Sequence, residues 1–162
     1  MAELSKDYRL TKDTEASKQQ IVIPYDFREN QTFEELNFCV IPVYIEGDNN
    51  KQIIDLLVDT GAQITVLTQP AAKMVGIEFQ GDMNGCGIGK AALKKGRVKN
   101  IEIGNATGEI ISLGECRVAI GQLPNKFAEY NILGLLGAET IQQLCLKIDY
   151  PSKYLEFSKL KC

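Results

Sequence analysis

Asp59-Thr60-Gly61-Ala62 stands inside LLVDTGAQITVL, residues 56–67, an otherwise apolar stretch rich in β-formers. Burying a carboxylate is costly unless it is paired or hydrogen-bonded. Two explanations fit: a turn in which Asp59 caps the backbone, or a carboxylate enclosed because it reacts. The chain contains no histidine. That removes Ser-His-Asp and Cys-His arrangements and the usual His-bearing zinc sites. Hydrolysis by this polypeptide is left to carboxylates, a Ser-Lys pair or an unusual cysteine. No metal and no organic cofactor is expected.

A second concentration of unusual residues is GDMNGCGIGK, residues 81–90, with glycines at 81, 85, 87 and 89. A phosphate loop needs the spacing GxxxxGK[ST] after a strand; that spacing is absent, and Lys90 is followed by Ala91. Glycines at every second position instead let a hairpin tip bend. Cys86 reads as an incidental small residue there. The five cysteines (39, 86, 116, 145 and 162) are odd in number and form no CxxC pair. They indicate reduced thiols and a cytoplasmic location. Asp26, Asp55 and Asp149 read as surface or turn carboxylates.

The elements that must position these residues are mainly strands. Apolar runs at 21–25, 37–46 and 51–58 are separated by turn residues, and Gly47-Asp48-Asn49-Asn50 makes a hairpin of the last two. Pro42 predicts a bulge or an edge position. QPAAKMVG, with Pro70 near its start and Gly76 at its end, predicts one short helix. Strands resume at 96–104, 108–114 and 115–121; AETIQQLCL (138–146) predicts a second helix, and LKIDY and KYLEF a closing hairpin. The pattern is that of a mainly β domain, a small closed barrel with one or two short helices. Residues 1–20 are polar, with no apolar h-region, and read as a disordered lead; 21–162 form a single domain.

Composition narrows the partners. With 162 residues the chain suits one domain, able to bury about 70% of its unfolded surface. A net charge of −3, with lysines scattered apart from Lys94, Lys95, Arg97 and Lys99, gives no reason to expect nucleic acid or an anionic membrane. No stretch approaches the length of apolar sequence that spans a bilayer.

Taken together, DTGA between apolar β-runs, a glycine-rich hairpin, and then two apolar residues and Gly before a helix resemble the retropepsin family of aspartic proteases. The resemblance runs from about Phe38 to Phe157. It implies that Asp59, Thr60 and Gly61 form the catalytic loop, with Ala62 beside the substrate. Gly87-Ile88-Gly89 would be the flap tip over a bound peptide, and Ile132-Leu133-Gly134 the segment behind the site. Such enzymes need two carboxylates that share one proton. The chain holds one Asp-Thr-Gly, so the resemblance implies a homodimer acting on a protein or peptide substrate. Gln63 and Leu135 stand where retroviral members carry a paired Asp and Arg, which sets the chain closer to cellular or bacterial members. The rival expectation is a silent dimer of the same fold that binds peptides or serves assembly.

Overall fold

The computed structural model describes residues 18–24, 26–29, 37–84 and 92–160. The chain enters through β1 (Lys18–Pro24) and β2 (Asp26–Glu29), then the long hairpin of β3 (Asn37–Glu46) and β4 (Lys51–Val58). β5 (Thr65–Thr68) leads into α1 (Gln69–Val75), followed by β6 (Asp82–Asn84), β7 (Ala92–Val98), β8 (Asn100–Gly104) and β9 (Ile110–Ser112). β10 (Cys116–Gly121), α2 (Asn125–Glu129), β11 (Gly134–Leu136) and α3 (Ala138–Ile141) precede the final hairpin, β12 (Cys145–Asp149) and β13 (Tyr154–Leu160).

Period-two patterning explains the faces. In β4, Ile54 and Leu56 are buried while Ile53 is exposed, and Ile41, Val43 and Ile45 of β3 turn inward with them. Each fully buried Ile or Leu contributes about 1.5–3 kcal/mol, so this hairpin anchors the core. Its turn closes through Gly47 N–H donating to the Asn50 carbonyl at 2.9 Å. A Cβ on Gly47 would lie 2.0 Å from the Val75 carbonyl oxygen, so α1 packs this closely only against glycine. α1 begins where the Thr68 hydroxyl accepts from Ala71 N–H and ends at Gly76 in the left-handed region. It buries Ala71, Ala72 and Val75.

The strands form a large sheet in the order β6-β7-β10-β5-β11-β4-β3-β8-β9, with β2 also on β3, and a three-stranded sheet β1-β13-β12. The fold is mainly β, as expected, and among the described residues the large sheet curls into a half-barrel. Among the described residues its ends are β6 and β9, three residues each, and they do not pair with one another.

Three local expectations change. Pro42 marks no bulge; it takes an edge position locally, although β3 itself is an interior strand. β3 pairs β4 in unbroken register from Val40 to Glu46, while on its other side β2 stops at Val40 and β8 starts at Tyr44. Proline, which lacks an N–H, sits in that gap. The helix expected over 138–146 stops at Ile141, because Leu146 and Ile148 pair with Phe157 and Leu155 across β12 and β13. Tertiary pairing overrides a modest helix preference there. α2 was not foreseen: Pro124 precedes a single turn with no side-chain cap and no buried residue. β1 pairs with β13 from Lys18 onward, three residues before the expected domain start, and residues 1–17 lie outside those described.

Candidate active site

Asp59 follows directly on β4, where the strand gives way to a tight turn. Its Oδ1 accepts from Gly61 N–H at 2.9 Å and Ala62 N–H at 3.2 Å. Its own carbonyl accepts from Ala62 N–H at 3.2 Å. The carboxylate therefore caps the turn, as one of the two sequence readings has it. It is also half-buried rather than enclosed, so in the single chain it remains accessible. Gly61 keeps a negative φ, and a Cβ there would meet only Asp59 Oδ1, at 3.2 Å. Glycine thus leaves room around the carboxylate rather than supplying an unusual backbone angle. Thr60 is exposed.

Main-chain bonds hold this turn from behind. Asp59 N–H donates to the Leu136 carbonyl at 3.1 Å, Ala138 N–H to the Ala62 carbonyl at 2.7 Å, and Glu139 N–H to the Gln63 carbonyl at 2.9 Å. The Thr65 hydroxyl accepts from Gly137 N–H at 3.0 Å and pairs with the Thr140 hydroxyl at 2.7 Å, all of it buried. A Cβ on Gly137 would fall 2.3 Å from the Ile64 carbonyl carbon, so the approach of these two segments requires glycine. Arg117 on β10 makes an ion pair with Glu139 at the start of α3, tying the same corner to the sheet.

The segment behind the turn is thus Leu135-Leu136-Gly137, three residues beyond the expected Ile132-Leu133-Gly134. β11 runs parallel to β4, with Leu135 beside Leu57 and Leu136 beside Val58. Leu135 also faces Val66 across β5, and Leu57 faces Val40 across β3. Laterally paired residues share a face of a sheet. Val66, Leu135, Leu57 and Val40 therefore form one apolar row on the face that Asp59 continues, two residues beyond Leu57. The first three are half-buried and offer surface; Val40 is enclosed. Period-two counting back from Asp59 would have found Leu57, and a choice of the second apolar-apolar-glycine triplet would have found Leu135.

The other expected residues separate. Ile132 is 1% exposed beneath α2, with its N–H donating to the Phe127 carbonyl at 2.9 Å, and presents no surface to a ligand. Leu133 packs against the main core and lines a cavity of about 470 Å³ with Thr68, Lys94 and Leu123, at the far end of β5 from the Asp59 turn. Val58 also turns into the core. The flap calls, Gly87, Ile88 and Gly89, with Cys86 beside them, lie outside the described residues. The strands on either side of them, β6 and β7, are paired as a hairpin requires. Gln63 is exposed beside Ala138, Glu139 and Gln142 around a smaller hollow of about 250 Å³. The residue that follows Gly137 is Ala138.

Among the described residues no group of His, Cys, Asp or Glu could hold a metal ion. Cys39, Cys116 and Cys145 are free thiols. Burial pushes the Cys39 thiol up to about 12 and raises that of Cys116, so both stay protonated and unreactive.

No curated protein matches the sequence significantly. Several solved structures are similar to the chain. A retropepsin-like aspartic protease from Rickettsia conorii superposes with a TM-score of 0.55 at 19% identity, covering 90% of this chain and 94% of that one. The retroviral protease-like domain of Ddi1 from Leishmania major gives 0.48 at 18% identity, covering 72% and 85%. EIAV protease complexed with the inhibitor HBY-793 gives 0.40 at 20% identity, covering 68% and 90%. At such identities the Rickettsia likeness speaks for the fold. A sequence model described as aspartyl protease matches residues 41–140, from the buried Ile41 of β3 through the Asp59 turn to Thr140 behind it. That match takes in every bond just described around Asp59, and the chain belongs to the aspartyl protease family.

Proposed function

We propose that the chain is an aspartic endopeptidase that works as a homodimer, with one Asp59 from each subunit facing across a twofold axis. The observation that carries this reading is a single Asp-Thr-Gly turn whose carboxylate is left half-exposed at the end of a fixed strand. One such turn supplies half of a carboxylate pair, and a second copy of the same surface supplies the other half. Two carboxylates a few ångströms apart share one proton. The ionised one takes a proton from a water, whose oxygen attacks the peptide carbonyl carbon. The protonated one gives its proton to the carbonyl oxygen; the tetrahedral adduct then collapses as the first carboxyl passes its new proton to the leaving nitrogen and the second takes one from an adduct hydroxyl, which restores the pair. No covalent enzyme intermediate forms. The row Val66, Leu135 and Leu57 suits apolar substrate side chains, because a charged one would lose its hydration there without a partner. Thr60 and Ala62 are assigned supporting places in the turn, and Gly87-Ile88-Gly89 the role of a covering flap. Free buried thiols suit a cytoplasmic setting, and no helix among the described residues is long and apolar enough to cross a membrane.

Subunit mixing tests the shared site. Asp59→Asn is near isosteric and keeps Oδ1 as the acceptor for Gly61 and Ala62, so the turn should hold and the variant should still dimerise. Wild-type and variant chains unfolded together in equal amounts and refolded at random give about a quarter wild-type dimers. Activity on a denatured protein should fall to about a quarter of the all-wild-type value. A value near one half would mean that each chain carries its own site.

The second reading, a silent dimer that binds peptides or serves assembly, is favoured by the self-capped turn: Asp59 has a structural use without catalysis. It expects peptide binding without cleavage at any pH from 4 to 7.

A further inference from the structure

The cavity of about 470 Å³ lies where β5 passes into α1, beside the start of β7 and the end of β10. Thr68, on its wall, stands three residues beyond Thr65, about 10 Å farther along the strand from the Asp59 turn. The floor is apolar: Ile120 and Gly121 are buried and Leu133 is half-buried. The rim is polar and exposed, with Gln69, Gln122, Asn125 and Lys94. Among the described residues the three carboxamides of this rim make no hydrogen bond. Lys94 Nζ sits 4.4 Å from the centroid of the Phe79 ring. No described carboxylate pairs with it, although Asp82 lies opposite on β6. Pockets that enclose small molecules measure about 300–1,000 Å³, and they fix a ligand's orientation by a few polar groups around an apolar interior. This cavity has the size, the interior and the unused polar groups.

We propose that this cavity is a second binding site, apart from the Asp59 turn, for a short apolar peptide that ends in a free carboxylate. Each part of that ligand answers a part of the lining. The Lys94 ammonium meets the terminal carboxylate, and hydrogen bonds between ionised groups are the strong ones. Gln69, Gln122 and Asn125 each offer donors and an acceptor, as a peptide group requires. Ile120 and Leu133 take apolar side chains, whereas a charged one would lose its hydration there without a partner. Hydrolysis of a peptide bond always releases one fragment with a new terminal carboxylate, so an endopeptidase makes this ligand itself. The inference rests on the peptidase reading for the origin of the peptide; the site rests on the lining alone. A simple aliphatic acid shares the carboxylate and the apolar body but has no peptide groups, so it isolates what the carboxamides add.

The test is titration calorimetry on the full chain, as wild type and as Asp59→Asn, with three probes: acetyl-Leu-Leu with a free carboxylate, the same dipeptide as its C-terminal amide, and octanoate. The free acid should bind once per chain, where a site shared across a twofold axis would bind once per two chains. It should bind about tenfold more tightly than the amide, and more tightly than octanoate. Lys94→Gln, at an exposed position, should fold and bring acid and amide to equal affinity. Equal affinities in wild type, an unchanged ratio in Lys94→Gln, or one acid per two chains overturns the site and leaves the peptidase reading intact. Octanoate binding as tightly as the acid overturns the peptide as ligand. Acid-selective binding that Lys94→Gln abolishes, in a wild type that cleaves no protein, overturns the peptidase reading and leaves the site standing. Neither cleavage nor acid-selective binding sinks both.

Discussion

Thr65→Val is the sharpest perturbation of the frame that holds Asp59. Valine nearly matches threonine in shape, so packing on β5 survives, but it cannot hydrogen-bond. The Thr65 hydroxyl accepts from Gly137 N–H at 3.0 Å and pairs with Thr140 Oγ1 at 2.7 Å. Thr65 is 0% exposed and Thr140 3%. Gly137 is packed so closely on Ile64 that even a Cβ would not fit, so water cannot replace the lost acceptor. Stranding one buried N–H costs about 1–3 kcal/mol, and losing the second bond about 1 more. The sum is about 3 kcal/mol. In a domain of this size that lowers Tm by about 6–12 °C.

Thermal and urea unfolding at fixed protein concentration measure it, since a dimer's Tm depends on concentration. Adding Thr140→Val removes the partner as well, so the double variant should be less destabilised than the sum of the singles by about 1 kcal/mol. A Thr65→Val protein within about 0.5 kcal/mol of wild type would mean that the main-chain bonds alone fix the turn, and the role given to this threonine pair would be wrong.

Activity should follow a bell-shaped pH profile with its optimum below neutral, because only the singly protonated carboxylate pair supplies both acid and base; a rate that keeps rising through pH 9 would exclude that pair. Stability should fall as pH rises from about 9 towards about 12, since the unfolded chain ionises Cys39 at its ordinary 9.0 while the folded thiol holds its proton to about 12. Cys39→Ala should flatten that part of the unfolding profile even though it costs stability at pH 7. Removing residues 1–17 spares β1 and should leave Tm within about 2 °C. Removing 1–23 strips Ile21 and Ile23, 1% and 3% exposed, and should cost several kcal/mol of stability; equal Tm values for the two truncations would show that β1 adds nothing to the core.

The parts of the fold that the sequence reveals are those set by local chemistry. The β3–β4 hairpin follows from two apolar runs around Gly47-Asp48-Asn49-Asn50, and α1 from Pro70 and Gly76 acting at opposite ends of about two turns. Where the outcome depends on which distant strand lies alongside, the local signal misleads. AETIQQLCL has helix-forming residues throughout, yet Leu146 is drawn into a ladder with Phe157 and the helix ends at Ile141. Likewise nothing in NKFAEY announces a helix; α2 rests on rings, one of them Phe38, almost ninety residues earlier in the chain.

The misplacement of the segment behind Asp59 has a similar cause. ILGLLG contains two apolar-apolar-glycine triplets, and both glycines are sterically required. A Cβ on Gly134 would fall 2.3 Å from the Val66 carbonyl oxygen, and one on Gly137 equally close to Ile64. Composition cannot rank them. Position relative to the helix can, because only Leu135-Leu136-Gly137 runs straight into α3. What then fixes Asp59 is main chain: the partners of Asp59, Ala62 and Gln63 across this gap are peptide groups of Leu136, Ala138 and Glu139. Peptide groups are the same whatever side chains accompany them, so such a frame constrains the sequence only where a side chain would obstruct it or must bond. That leaves the glycines and the Thr65–Thr140 pair as its visible traces. It also explains how a chain 19% identical to the Rickettsia protease can keep the same fold over 90% of its length: the geometry resides in bonds that most substitutions do not touch.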